Sequence, residues 1–385
     1  MRRLLVLACT IVFLDIAFYS AITPLLPSYA DDLDLSRAQA GILSASYAAG
    51  TLVAAIPSGF LAVRLGSRRT VVIGMVLLGL SSLSFGFAEQ IELLDASRFL
   101  QGVSSAMTWA GAFSWLVISA PQESRGSVIG TAVGAAVAGA LCGPPLGALA
   151  SEVGTEPVFG SVLVLSALLA AAALRIPDAI ERRPSGLREV AEAMRAPPVI
   201  AAAALVAVPS LMFGTISVLV PLRLDDLGAG PGLIAAGFTA GAAVEAVLAP
   251  VIGRYSDRAG RLAPYVGGML ISALAVLVLA ATGVLELAVA ALIGVCAGAG
   301  FCFTPAMAML SDAASATGLH QGLAAGLTNM AWAAGQVTGG IGGGGTASLA
   351  GNALPFVLVA LLVLATAVVT HRLGPALIPQ TAPSR

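Results

Sequence analysis

Twelve apolar runs, each long enough to cross a bilayer, divide this chain almost end to end. A spanning helix needs about 20 mostly apolar residues. Runs that meet the test lie near 4–28, 39–63, 70–88, 93–120, 125–151, 157–176, 197–222, 231–254, 262–282, 285–311, 320–347 and 352–373. In hydrocarbon every backbone N–H and C=O must be satisfied within the segment, so such runs fold as helices. Charge agrees: only 10% of the 385 residues are charged and 58% are hydrophobic, against about 25% charged in a soluble domain. The expected class is therefore an all-α membrane protein of twelve transmembrane helices.

Arginine gives the orientation, because basic residues are retained on the cytoplasmic side. All 19 basic residues are arginine, and with a cytoplasmic N-terminus 16 of them fall inside. Arg37 and Arg223 fall outside, and Arg98 lies within a span. The outside loops are acidic instead, with Asp31, Asp32, Asp34, Glu89, Glu92, Asp95, Asp225 and Asp226. An odd number of spans would scramble this separation, so both termini are expected in the cytoplasm. The start, Met1-Arg2-Arg3 and an apolar run holding Asp15 and Pro24, reads as the first span rather than a removed signal. The all-arginine usage suggests a GC-rich bacterial genome, which places the chain in a bacterial inner membrane.

The chain repeats itself. Pro27-x3-Asp31-Asp32-Leu33 recurs as Pro221-x3-Asp225-Asp226-Leu227, and Gly59-x3-Val63-Arg64-x-Gly66 recurs as Gly253-x3-Asp257-Arg258-x-Gly260. Both pairs are 194 residues apart. Two motifs at one offset imply a six-helix unit duplicated in one orientation, giving two pseudo-symmetric bundles over 1–176 and 197–385. Parallel repeats of this kind are a transporter architecture, with the substrate site between the halves near mid-membrane. The polar stretch 177–196 joins them. Within it Leu187, Val190, Ala191 and Met194 follow helical spacing, which fits a short interfacial helix; a flexible linker is the other reading.

Other classes find little support. A net charge of −1 gives no basic field for nucleic acid. Cys9, Cys142, Cys296 and Cys302 sit in apolar runs, and His320 and His371 are the only histidines, so neither a disulfide framework nor a metal site is expected. A membrane enzyme would need clustered His, Asp or Cys. A nucleotide-driven pump would need a phosphate-binding lysine, and the chain has none. No cofactor is expected. The expected partners are a small-molecule substrate, protons and the bilayer, with the chain a monomer.

An ionisable group inside a span is costly and marks function by default. Asp15 lies about halfway along span 1 and Glu245 within span 8. In low dielectric a carboxyl group can exchange a proton for a bound cation. The two lie in opposite halves and are expected to face each other across the central space; a structural hydrogen bond is the alternative for each. Asn329, Trp332 and Gln336 share one face of span 11, span 4 presents Trp109 and Trp115, and span 1 adds Tyr19. Aromatic rings beside carboxylates suit lipophilic cations, while interfacial or packing roles are open for the tryptophans.

Gly59-Phe-Leu-Ala-Val-Arg64-Leu-Gly66-Ser-Arg68-Arg69, with its copy Gly253-Arg-Tyr-Ser-Asp257-Arg258-Ala-Gly260-Arg261, resembles the signature loop of the major facilitator superfamily. Arg98-Phe-Leu-Gln101-Gly102 resembles the family's span 4 motif. Gly130-x8-Gly139-x3-Gly143-Pro144-x2-Gly147 resembles the span 5 motif of proton-coupled antiporters, which are exporters. Asp15 followed by Pro24-Leu-Leu-Pro27 is similar to twelve-span drug:proton antiporters, including vesicular monoamine transporters. The resemblance implies proton-coupled export by alternating access, a proton-transfer role for Arg98, a coupling acid at Asp312 or only a solvated helix end there, and a cytoplasmic gate built from Arg64, Arg68, Asp257, Arg258 and Arg261. Two departures stand out: Val63 replaces the usual loop acid, and Asn329 stands where the monoamine transporters carry an acid. Uptake of a sugar or organic acid is the rival within transport, and the span 5 motif argues against it. The glycines of span 5, and Gly335, Gly339, Gly340 and Gly342–Gly345 of span 11, make thin helices that either rock or pack closely.

Overall fold

A computed structural model describes residues 1–121, 125–178, 187–318 and 321–377. Among them, twelve long helical segments and one short helix account for nearly every element. Span 1 is α1 (Arg2–Ser20) continued by a 3-10 turn (Thr23–Leu25) and α2 (Leu26–Asp32). Spans 2 to 6 are α3 (Arg37–Leu65), α4 (Ser67–Gly86), α5 (Ile91–Ser119), α6 (Arg125–Val153) and α7 (Thr155–Leu174). After the connecting helix α8 (Leu187–Arg195), the second half is α9 (Pro197–Asp226), α10 (Pro231–Ala259), α11 (Leu262–Ala281), α12 (Leu285–Ala316), α13 (Gln321–Ala350) and α14 (Ala353–Leu377).

Ten of these are long and apolar enough to cross a membrane by composition alone. The other two, α5 and α13, are as long as the rest and carry Glu92, Asp95 and Arg98, or a run of glycines. Both are interior helices. α5 lies between α3 and α4, and α13 lies between α3 and α9, so neighbouring helices cover surface that lipid would otherwise meet.

The duplication is visible in the packing. In the first half α3 pairs with α5, α4 with α5, α4 with α7, and α1 with α6. In the second, the equivalent helices pair in the same way: α10 with α12, α11 with α12, α11 with α14, and α9 with α13. The halves meet along two matching seams, α3 with α13 and α6 with α10. The repeat holds even at single residues. Gly66 ends α3 at φ 91°, ψ 152°, and Gly260 ends α10 at φ 84°, ψ 157°. Positive φ of this kind is cheap for glycine and strained for other residues.

The connecting helix forms, but its buried side chains are Val190 and Ala193, while Met194 is exposed. Ala191 is half-buried and the side chain of Leu187 lies outside the described residues, and the helix packs against α9.

One end of the molecule is closed. It carries the turns at 33–36, 227–230 and 351–352. There Arg37 Nη2 donates to Asp226 Oδ2 across the halves at 2.7 Å, and Ala38 N–H donates to Ser348 Oγ at 2.9 Å. Backbones touch beneath them: a Cβ on Gly41 would stand 2.5 Å from the Gly340 carbonyl oxygen. The α6–α10 seam is looser than the α3–α13 seam, and a cavity of about 620 Å³ lies between Pro145, Leu149 and Glu152 of α6 and Gly232, Ala236 and Ala243 of α10. Gly130, Gly134 and Gly253 have no atom within 4 Å of where a Cβ would sit.

Candidate transport site

The site begins with a break in the first span. Pro24 cannot donate to the Ser20 carbonyl, and Pro27 cannot donate to that of Thr23, so the helix ends at Ser20 and restarts at Leu26. The carbonyls of the last turn of α1 need outside partners. Arg98 of α5 supplies them: its guanidinium donates to Phe18 O at 3.4 Å and Tyr19 O at 3.1 Å, and to Gln101 Oε1 at 2.9 Å. A cation at a helix C-terminus also meets the negative end of the helix dipole. Arg98 is 0% exposed, so it does not snorkel to the interface.

About one turn earlier, Asp15 is 1% exposed and fully engaged. Tyr47 Oη donates to Oδ1 at 3.1 Å, while Ser105 Oγ and Trp109 Nε1 donate to Oδ2 at 2.6 and 2.8 Å. Tyr47 links this carboxyl group to Arg98, whose guanidinium carbon lies 5.0 Å from the Tyr47 ring centroid and 5.8 Å from that of Tyr19. Tyr19 packs on Tyr47 with centroids 4.6 Å apart, and edge-on against Trp332 of the other half at 5.7 Å. Trp109 stacks on Phe113 at 5.1 Å, 6° from parallel. The structure thus brings Asp15, Tyr19, Arg98, Trp109 and Trp332 into one cluster at the seam between the halves. Sequence reasoning missed Tyr47 and Ser105; their only signal was polarity inside apolar spans.

Glu245 lies elsewhere. It stands at the middle of α10, half-buried, with its side chain against Gly300 of α12. Among the described residues no donor reaches its carboxyl group. Asp15 and Glu245 therefore do not face each other as expected: each turns toward helices of its own half, because the donors that fix Asp15 all come from α3 and α5. In span 11, Asn329 is half-buried, and the backbone of Gln336 lies against Gly214 of α9.

Trp115 and Asp312 fall outside the cluster as well. Trp115 is 1% exposed and donates from Nε1 to Pro177 O at 3.1 Å. It ties α5 to the start of the inter-half connection instead of lining a cavity. Asp312 pairs with Arg261 at 2.5 Å at the end of α12, and both are partly solvated. It forms a partly solvated ion pair near the end of a helix, within one half.

The glycine motif of span 5 has a clear counterpart. Gly139, Gly143 and Gly147 form one face of α6 and lie on span 1 from Phe13 to Pro24; Cβ atoms there would meet the backbone of Phe13, Ala17 and Ala21 and the Ser20 hydroxyl. Pro144 follows within the helix. On α13, Gly335, Gly339 and Gly343 press on α9 in the same manner, while Gly340 and Gly344 press on α3 of the other half. In the signature loop, Gly59 approaches Leu323 of α13, Arg64 is exposed, and Gly66 leaves room for the Asp178 carboxylate, which accepts the Arg68 N–H at 2.9 Å. In the second copy Gly253 is unobstructed and Arg261 holds Asp312. The side chains of Asp257 and Arg258 lie outside the described residues. No group of three or more His, Cys, Asp or Glu side chains among the described residues could hold a metal.

The chain is similar to several known transporters. Matched segments are 30% identical to the MFS-type transporter ppzB of Metarhizium majus over 165 residues, 41% of this chain and 35% of that protein. They are 31% identical to a probable vesicular acetylcholine transporter-B of Danio rerio over 166 residues, 41% and 34% of the two chains. They are 24% identical to the quinolone resistance protein NorA of Staphylococcus aureus over 169 residues, 43% and 44%. The chain thus matches between about a third and under half of the length of these relatives. The crystal structure of a bacterial homolog of the human lysosomal transporter Spinster, inward-facing and occupied, superposes with a TM-score of 0.79 at 15% identity, covering 99% of this chain and 98% of that one. The same homolog, inward-facing and unoccupied, gives 0.74 at 16% identity with the same coverage. The family model of the Major Facilitator Superfamily matches residues 8–314 and 203–385, and the chain belongs to that superfamily.

Proposed function

We propose that the protein is a proton-coupled exporter of small, lipophilic or cationic compounds, acting by alternating access in a bacterial inner membrane with both termini in the cytoplasm. The observation that carries this reading is the chain of contacts Asp15–Tyr47–Arg98, joined through Tyr19 to Trp332 where the halves touch. A buried acid and a buried arginine share an aromatic partner at the seam that must open and close, so the polar cluster of the first half is joined mechanically to the contact between halves. The span 5 glycines add support. They lay α6 directly on the helix that holds Asp15, so movement of one carries the other. Relatives named for quinolone resistance and vesicular transport fit the same direction.

With the termini inside, the Arg37–Asp226 end is the outer gate, shut along the α3–α13 seam, and the opposite end opens to the cytoplasm. Substrate enters from the cytoplasm or the inner leaflet. Protons entering from outside drive its release.

The test is export in cells. The chain is expressed in a bacterium stripped of its own efflux pumps, and accumulation of ethidium, tetraphenylphosphonium and a fluoroquinolone is measured. Lower accumulation than in the empty-vector strain, restored by a protonophore and by Asp15→Asn combined with Glu245→Gln, supports export. Raised accumulation of a metabolite, with no effect on these compounds, assigns uptake instead.

A further inference from the structure

The two mid-membrane carboxyl groups sit in opposite chemical settings, and the difference assigns them different work. Asp15 has the donor set that holds an anion. Trp109 Nε1 is a donor only, and Ser105 and Tyr47 complete three donors on two oxygens. Arg98 supplies a buried cation through the Tyr47 ring. With 1% exposure, no substrate ammonium can reach the carboxylate without first dismantling this cage.

Glu245 is the reverse. No donor and no cation reaches it among the described residues. The titratable groups that act with it are the thiols of Cys296 and Cys302 on α12. The Glu245 side chain lies against Gly300 of α12. An ionised carboxylate without partners in such surroundings is strongly disfavoured. The duplication supplies an internal control. The residue equivalent to Glu245 in the first half is Thr51, whose hydroxyl lies 3.1 Å from Tyr47 O and 3.2 Å from Gly102 O and ties α3 to α5. Glu245 occupies the same station, faces α12, and makes no such tie. It is not a structural hydrogen-bonding residue.

We infer that Glu245, not Asp15, is the exchange site: it rests as the neutral acid, and a monovalent organic cation binds there as the proton leaves. The step balances as carboxylic acid plus cation giving a carboxylate–cation pair plus one proton, which passes to water. Asp15 stays ionised throughout and holds α1, α3 and α5 around Arg98. The assignment rests on the exporter reading, and it narrows the substrate class to amphiphiles with one positive charge.

The experiment uses the purified full-length protein in detergent and dicyclohexylcarbodiimide, which modifies protonated carboxyl groups in apolar surroundings. Modified peptides are identified by mass spectrometry, with and without tetraphenylphosphonium, and proton release on adding that cation is followed in weakly buffered solution. The expected pattern is modification at Glu245 and not at Asp15, protection of Glu245 by the cation, and release of about one proton per protein. Release disappears in Glu245→Gln and returns in Glu245→Asp. Modification of Asp15 with Glu245 untouched, or proton release kept in Glu245→Gln, overturns the assignment. If tetraphenylphosphonium does not bind at all, the cation-exporter reading fails separately, and the modification pattern alone decides which acid rests protonated.

Discussion

Placing a methyl group at Gly143 should separate the two helices that the site depends on. Its Cβ would stand 2.6 Å from the Ala17 carbonyl oxygen and 2.9 Å from Ser20 Cβ, and closer still to Ser20 Oγ. Ordinary contact begins at about 3.4 Å, so α1 must move away from α6 by several tenths of an ångström or more, on the order of the overpacking shifts that cost about 1–3 kcal/mol. Ser20 can rotate, but the Ala17 carbonyl belongs to the helix backbone and cannot. The displaced stretch lies one turn from Asp15 and contains Phe18 and Tyr19, whose carbonyls Arg98 holds. The same helix carries its own control. Gly130 and Gly134 have nothing within 4 Å of the place a methyl group would take, so alanine there gains about 1 kcal/mol of helix propensity and meets no obstacle. Thermal unfolding in detergent, followed by tryptophan fluorescence, should rank Gly134→Ala at or above the wild type and Gly143→Ala clearly below it, with efflux reduced in the latter alone. Equal stability and equal efflux for the two variants would refute the claim that the span 5 glycines exist to seat α1.

Arg37→Ala should loosen the closed end. The pair with Asp226 is 28% and 46% exposed, so about 0.2–1 kcal/mol is at stake, a shift of up to about fivefold in the open-to-closed ratio; spin-label distances across that end should lengthen, and added salt should mimic the change in the wild type. Arg98→Lys should fail to replace arginine, because an ammonium cannot reach the Phe18 and Tyr19 carbonyls and Gln101 together; each carbonyl left bare costs about 1–3 kcal/mol, and the variant should show a lower unfolding midpoint than Gln101→Ala. Asp178→Ala removes the carboxylate that accepts the Arg68 N–H at the start of α4, a cap worth about 0.5–2 kcal/mol; limited proteolysis should cut the 177–196 connection faster, while Asp178→Asn should restore most of the protection.

The helices were legible because lipid imposes a length test, and their count because arginine and acid alternate between the two sides. The repeat was legible because Gly66 and Gly260 occupy a backbone conformation that few other residues tolerate. Side-chain direction was not legible. In a soluble helix the polar face marks the outside, but in these spans lipid-facing and core-facing residues are both apolar, so no periodicity showed that Trp115 points to Pro177 while Trp109 points to Asp15. For the same reason Tyr47 and Ser105 looked like isolated polar residues. Pro24 was visible, but the break it causes matters only because Arg98, 74 positions later in the chain, fills it. Asp178 lies in a polar stretch where nothing distinguishes one acid from the next until Gly66 is seen to leave space for it.

The most direct test of proton-driven export is flux across a bilayer. The purified chain is reconstituted in liposomes with a pH-sensitive dye inside and an imposed pH gradient, and tetraphenylphosphonium or ethidium is added. Opposite, coupled movement of substrate and protons is the predicted result, with both lost in Glu245→Gln and slowed in Arg98→Lys. Substrate crossing with no proton movement, or with protons moving in the same direction, would contradict it.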